Sequence, residues 1–337
     1  MADARKKVSL TGIKPTGERA DPSAGGSLHL GTYFGAIRPA LRLTEKYDSH
    51  YFIADYHALT SQRDPEVLRE NTYDVAASWL ACGLDPQKTL LYRQSAVIEV
   101  FELAWLLACV TATGQLERGH AYKDALARGD APNAGVFNYP LLMAADILLY
   151  DANVVPVGAD QKQHAELARD IAVRVNHLYG EDTVVVPEAL VTEAPIVLGQ
   201  DGRKMSKSCG NTIPLFAPPK ALRDALMKLK SDSTPVEAPK EPEGAVVYEL
   251  YKLVASEAQV QAMAQKLRAG GYGWGHAKQE LFTELDALLA PLRARYLELR
   301  SDRPALEALL AEGENKARAI ANRTMQRVRK AIGIAQL

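Results

Sequence analysis

Two lysines three residues apart, Lys204 and Lys207, enclose Met205 and Ser206 in the run Gly202-Arg203-Lys204-Met205-Ser206-Lys207-Ser208. Bounded by Asp201-Gly202 and Cys209-Gly210, this run is expected to form a mobile cationic loop. Such a loop would close over a triphosphate and stabilise a leaving pyrophosphate by charge. For a generic KxxK, a solvated basic loop is the competing reading; the literal string KMSKS is far more specific. A second informative stretch is Gly12-Ile13-Lys14-Pro15-Thr16-Gly17, followed after an intervening segment by Leu28-His29-Leu30-Gly31-Thr32-Tyr33. A glycine at such a strand end lets a ligand approach the backbone, and a following helix N-terminus favours phosphate through unpaired N–H groups and its dipole. His29 would add a donor to charge developing on phosphate, although His-Leu-Gly on its own is equally an ordinary turn.

These residues need a scaffold, and 337 residues with 47% hydrophobic and 24% charged composition suffice for roughly two globular domains of about 150 residues. Forty Lys+Arg against 41 Asp+Glu leave a net charge of -1, so a nucleic-acid surface would have to be a local patch. Three cysteines, Cys82, Cys109 and Cys209, lie far apart with no CxxC pairing. No zinc or iron–sulfur framework is readable, no metal ligand set is assigned, and a reducing compartment is expected. The charged N-terminus reads directly into a strand-like run without an apolar signal region, and a cytoplasmic location is expected. The apolar runs 103–110 and 139–150 are too short to span a membrane, so no membrane partner is expected and both read as buried helices.

From 8 to about 198, apolar runs at 8–11, 51–54, 89–92, 154–157 and 195–198 alternate with helical stretches. That is the pattern of an α/β fold, a Rossmann-like parallel sheet covered by helices. In the stretch 161–179, His164, Leu167, Ala168, Ile171, Val175 and Leu178 recur at helical spacing and predict one buried face. After Pro214 the composition shifts to prolines and charges around a short helix near 220–230. Helical patterns then follow near 244–254, 256–268, 276–300 and 313–333. The expected domains are therefore 1–218, a Rossmann-like catalytic unit including the KMSKS loop, and 219–337, an all-helical unit whose last helix packs back on the first. Between 291 and 330 ten Lys/Arg face five Asp/Glu, a pattern that would follow a phosphate backbone or simply solvate a helix.

The order, separation and strand contexts of the two motifs resemble those of class I aminoacyl-tRNA synthetases. GIKPTG at 12–17, YPLLMAADILLYD at 139–151 and VPVGADQKQHAELARD at 155–170 look like the tryptophanyl rather than the tyrosyl branch. The resemblance covers nearly the whole chain. It implies ATP-dependent activation of tryptophan to an adenylate and transfer to tRNA(Trp), with magnesium carried by the nucleotide, by a homodimer whose helical region reads the anticodon. It also implies that His29 and Gly31 contact ATP. Lys204 and Lys207, with Met205, Ser206 and Ser208 of the same loop, would hold its phosphates, and Lys123 would reach the triphosphate. Lys14, Pro15, Thr16, Thr32, Gly158, Ala159 and Asp160 would line the nucleotide site, and Ile196 would present its backbone to adenine.

Indole offers one N–H donor and no acceptor, so a selective pocket needs one buried acceptor in an apolar slot. Asp146, in LLMAADILLY, is such a group and can share a helix face with Met143 and Tyr139; a carboxylate capping or pairing within the helix is the alternative. By the resemblance, Tyr139 and Gln161 receive the amino group of tryptophan, and Met143, Val155, Val157 and His57 surround the indole. Three departures stand out. Leu10 occupies a place where relatives often carry an aromatic, Thr32 replaces the usual Asn, and Glu18 to Gly26 separates PTG from SLHLG. That insertion is expected to be a flexible loop over ATP that orders with nucleotide. A tyrosine-specific relative and a non-catalytic regulatory paralogue that binds tRNA or a protein partner are the rival readings.

Overall fold

The computed structural model describes residues 6–127, 129, 131–158, 162–191 and 195–334, the side chains of His120 and Ala121 excepted. Strands β1 (Val8–Ile13), β2 (Asp48–Ile53), β3 (Leu90–Arg93), β4 (Val154–Val157) and β5 (Glu188–Val191) pair in parallel in the order β3-β2-β1-β4-β5. The strand order reverses between β1 and β4, which opens a crevice beyond their carboxyl ends.

The first four strands fall on the apolar runs expected from the sequence, with shifted ends; the fifth does not. The segment 195–198 is not a sheet strand. Pro195 has no N–H to give a ladder, and the residues after it pair with the KMSKS loop instead. Met205 N–H donates to the Val197 carbonyl and Gly199 N–H to that of Arg203, both at 2.8 Å. The sheet edge is taken by β5, Glu-Ala-Leu-Val, with exposed ends and a half-buried middle.

The helix Pro65–Ala81 starts where the Asp64 side chain accepts from Glu66 N–H and Val67 N–H, and Pro65 occupies the first turn, where its missing N–H is harmless. From Asn71 to Ala81 it is buried on all sides, because the long helix Trp274–Ser301 covers the side away from the sheet. In the helix Lys162–Tyr179, His164, Ala168, Ile171 and Val175 are buried as expected. Leu178 is instead 48% exposed, since the last turn runs past the packed face.

The C-terminal region comprises Pro219–Met227, Val246–Tyr251, Glu257–Ala269, Trp274–Ser301 and Arg303–Ala331. The final helix begins ten residues before the expected 313, because the Asp302 side chain caps Ala305 N–H at 3.0 Å and Pro304 sits in its first turn. It lies directly on β3: a Cβ on Gly313 would fall 1.8 Å from the Leu91 carbonyl oxygen, so only glycine permits this approach. Ala317, Ala321, Met325 and Val328 of the same helix join the core formed with Leu90 and Tyr92.

This packing engages part of the C-terminal basic run with protein groups. Arg327 pairs with Asp151 and Arg329 with Glu102, Arg318 Nε donates to the Ala96 carbonyl at 2.8 Å, and Lys316 pairs with Glu312. Four of the six basic residues from 316 onward are thus engaged with protein groups, and Arg323 and Lys330 are exposed. Among the described residues no helix is long and apolar enough to cross a membrane.

Candidate active site

The crevice beyond β1 and β4 holds a cavity of about 480 Å³. Met143 and Asp146 face it from the helix Ala134–Leu149 together with Tyr139, at the spacing that places them on one side. Val155 and Val157 of β4 and the following Gly158 line it, as do His57 and Lys14. Asp146 is only 2% exposed, yet its carboxylate is not orphaned. Gln94 Nε2 donates to both carboxylate oxygens at 2.9 Å, and His57 Nε2 lies 2.9 Å from Oδ2. Burial raises the Asp146 carboxyl above its ordinary range, opposed by the hydrogen bonds from His57 and Gln94.

Gln94 is fully buried just after β3 and is a site residue that sequence reasoning missed, since a lone Gln carries no motif. Phe52 was missed as well. On β2 it stands opposite Gly12 of β1, whose missing side chain leaves room for the ring: a Cβ there would lie 2.5 Å from it. The ring packs on Tyr92 at 5.9 Å and lines the cavity, so the aromatic wall absent at Leu10 is present on the neighbouring strand. The Tyr139 hydroxyl is hydrogen-bonded to His164 Nε2, and burial, with Asp124 adding to it, pushes its phenol up to about 12. Ala159, Asp160 and Gln161 lie outside the described residues.

The two motifs meet beside the cavity. Gly31 N–H donates to the sulfur of the buried Met205 at 3.3 Å, and Lys207 Nζ donates to the Thr16 carbonyl at 2.6 Å. His29 is the N-cap of the short helical turn that follows, its Nδ1 accepting from Thr32 N–H at 3.3 Å. The other ring nitrogen, Nε2, therefore carries the proton in the neutral ring and lies 3.4 Å from Thr32 Oγ1. Burial, reinforced by Lys207, lowers the His29 pKa to about 4. Burial also lowers the ammonium pKa of Lys207, which Asp74 opposes, and that of Lys14, whose Nζ donates to Thr60 Oγ1 at 2.9 Å.

The KMSKS loop is organised by the buried Asn211, a third residue the sequence did not disclose. Its Oδ1 accepts from Ser206 N–H at 2.9 Å, and its Nδ2 donates to Asp201 at 2.7 Å and to the Lys204 carbonyl at 3.2 Å. Lys204 and Ser208 are exposed, Pro15 is buried, and the Ile196 side chain is 71% exposed. Lys123 is exposed on the helix His120–Ala127, outside the cavity lining. The insertion from Glu18 to Gly26 is a largely irregular and exposed loop that is tethered to the body of the protein. It contains a helical turn at Pro22–Ala24 and buries Ala20, because polar side chains of the helix Pro65–Ala81 hold both of its ends.

A parallel sheet with its strand order reversed at a cavity, bordered by a glycine-containing turn and a two-lysine loop, has the architecture of the α/β enzymes that bind a nucleotide at such a crevice. The family model described as tRNA synthetases class I (W and Y) matches residues 5–290, and the chain belongs to that family of aminoacyl-tRNA synthetases. The tryptophan–tRNA ligase of Fusobacterium nucleatum is 44% identical over 329 residues, spanning 97% of this chain and 98% of that protein. That of Rhodopirellula baltica is 47% identical over 326 residues, spanning 96% and 99%. The crystal structure of tryptophanyl-tRNA synthetase from Campylobacter jejuni, complexed with ADP and tryptophan, superposes with a TM-score of 0.89 at 43% identity, covering 97% of this chain and 99% of that one. Within the family, the full-length similarity is to the tryptophanyl branch.

Proposed function

We propose that this chain acts as a tryptophan–tRNA ligase in the cytoplasm, activating L-tryptophan with ATP and transferring it to tRNA(Trp). A carboxylate oxygen of tryptophan attacks the α-phosphorus and pyrophosphate leaves; a terminal ribose hydroxyl of tRNA then attacks the acyl carbon and AMP leaves. The observation that carries the reading is Asp146, which among the described residues is the one carboxylate lining a largely apolar cavity. A carboxylate has about four acceptor positions; Oδ2 receives Gln94 and His57, and Oδ1 receives Gln94 alone. The remaining position on Oδ1 accepts the indole N–H, and a ligand without that donor leaves a buried acceptor unmet. Sites of this kind reach roughly 10⁴-fold discrimination.

The other roles follow the same reading. Met143, Val155, Val157 and Phe52 wall the indole, Tyr139 and Gln161 receive the amino group, and His57 holds Asp146. His29, neutral at physiological pH, donates from Nε2 to the phosphates; Lys204, Lys207 and Lys123 stabilise the leaving pyrophosphate. Lys14 to Thr16, Gly31, Thr32, Gly158 to Asp160 and the backbone of Ile196 hold the nucleotide, whose magnesium enters with ATP. Residues 1–218 form the catalytic unit and 219–337 the tRNA-reading unit. The homodimer that the resemblance implies would have an apolar face available in the solvent-facing Ile98, Phe101 and Trp105. The test is aminoacylation with labelled amino acid: tRNA(Trp) is charged with tryptophan, and tRNA(Tyr) with tyrosine is not. Charging of tRNA(Tyr) with tyrosine would overturn the reading.

A further inference from the structure

Asp74, on the helix Pro65–Ala81, is a fully buried carboxylate to which the reaction gives no role. Its Oδ2 accepts from Ser27 N–H at 2.9 Å and Ser27 Oγ at 2.6 Å, while its Oδ1 accepts from the hydroxyl of Tyr296. Ser27 stands two residues before His29; Tyr296 lies far along the helix Trp274–Ser301. One carboxylate therefore joins the first motif to the C-terminal helical region.

The insertion shares this anchorage. Asn71, one turn before Asp74, accepts from Ala20 N–H at 2.8 Å and donates to the Glu18 carbonyl at 3.1 Å. At the other end, Gly25 is pressed against the backbone of Phe216 and Ala217, and its carbonyl accepts from Phe216 N–H. The Phe216 ring stacks on Tyr296 at 4.2 Å between centroids and 10° between planes. Leu28 and Leu30 pair with Leu215 and Ile213, just beyond the KMSKS loop, which fixes His29 between two anchored backbones.

We propose that Asp74 is a positioning residue for His29, and that the insertion Glu18 to Gly26 is a brace through which Tyr296 of the helical region sets the geometry of the first motif. The inference rests on the synthetase reading above. It makes a residue of the helical region matter for amino-acid activation in the absence of tRNA. Displacing a catalytic group by an ångström costs up to about 10²-fold, so losing one anchor is expected to cost about tenfold.

The test is tryptophan-dependent ATP–pyrophosphate exchange by the full chain carrying Ser27→Ala, Tyr296→Phe or both, with thermal unfolding measured on the same samples. Each single variant is expected to lower kcat about tenfold with KM for tryptophan within about twofold, and the double variant is expected to lose less than the product, since both act through one carboxylate. Asp74→Asn, which keeps the shape and one acceptor, is expected to retain more activity than Asp74→Ala. Wild-type kcat in both single variants, or a kcat loss matched only by partial unfolding, overturns the proposal while leaving the synthetase reading in place. An inactive but folded wild-type chain overturns the reading itself.

Discussion

At Asp146 the cost of burying a carboxylate is offset by Gln94 and His57, which satisfy it without saturating it. Hydrogen bonds to charged groups are worth about 1.5–3 kcal/mol, so Gln94→Ala is expected to raise KM for tryptophan roughly tenfold or more. KM for ATP should stay unchanged. Equal rises in both constants would place Gln94 outside the amino-acid pocket. His29 makes a separate, pH-dependent statement. Its pKa is lowered from 6.5 to about 4, so its ring is neutral in the folded state across the physiological range. A depressed folded pKa means that its contribution to stability is present above about 6.5, declines as pH falls, and is lost by about 4. An NMR titration of the His29 ring is expected to show its midpoint near 4; a midpoint near 6.5 would contradict the half-buried, neutral assignment.

At the scale of elements, the KMSKS loop depends on Asn211 and on the strand-like segment around Val197 for its shape. Asn211→Ala is expected to lower kcat for activation by about 10- to 100-fold through loop misplacement, with tryptophan KM unaltered in steady-state exchange. An unchanged kcat would mean that the loop holds itself. The literal motifs were legible because their residues are contiguous; Lys204, Lys207, His29 and Gly31 could be read directly. Asp146 stood out as a carboxylate in an apolar helix face, but capping or pairing within the helix explained it equally well there, and the resemblance to the tryptophanyl branch is what singled it out. Gln94, Phe52 and Asn211 were not legible, because each acquires its role only from a neighbour distant in sequence. Strand β5 escaped for a related reason: it is a four-residue edge strand without apolar–polar alternation, whereas 195–198 looks like a strand and directs its backbone to the loop. The anchors of the insertion were not legible either, since composition reports loop propensity and not the side chains that hold it.

At the scale of the molecule, the C-terminal helices are part of the catalytic core's support. Gly313 lets the last helix touch β3 beside Leu91. Arg93, one residue before Gln94, is paired with Glu307 and Glu314 of that helix. A methyl group at position 313 forces the helix off the strand, and overpacking of this kind costs about 1–3 kcal/mol. Gly313→Ala is expected to lower stability by that amount in urea denaturation; a change below about 0.5 kcal/mol, the size of an ordinary surface substitution, would contradict the contact. The whole arrangement converges on one claim, that the cavity activates tryptophan by adenylation. The most direct measurement is amino-acid-dependent ATP–pyrophosphate exchange by the purified protein without tRNA, with tryptophan, tyrosine and phenylalanine assayed separately. Exchange with tryptophan alone is the expected result. Exchange with tyrosine in preference to tryptophan, or none with any of the three from a folded protein that binds ATP, would contradict it.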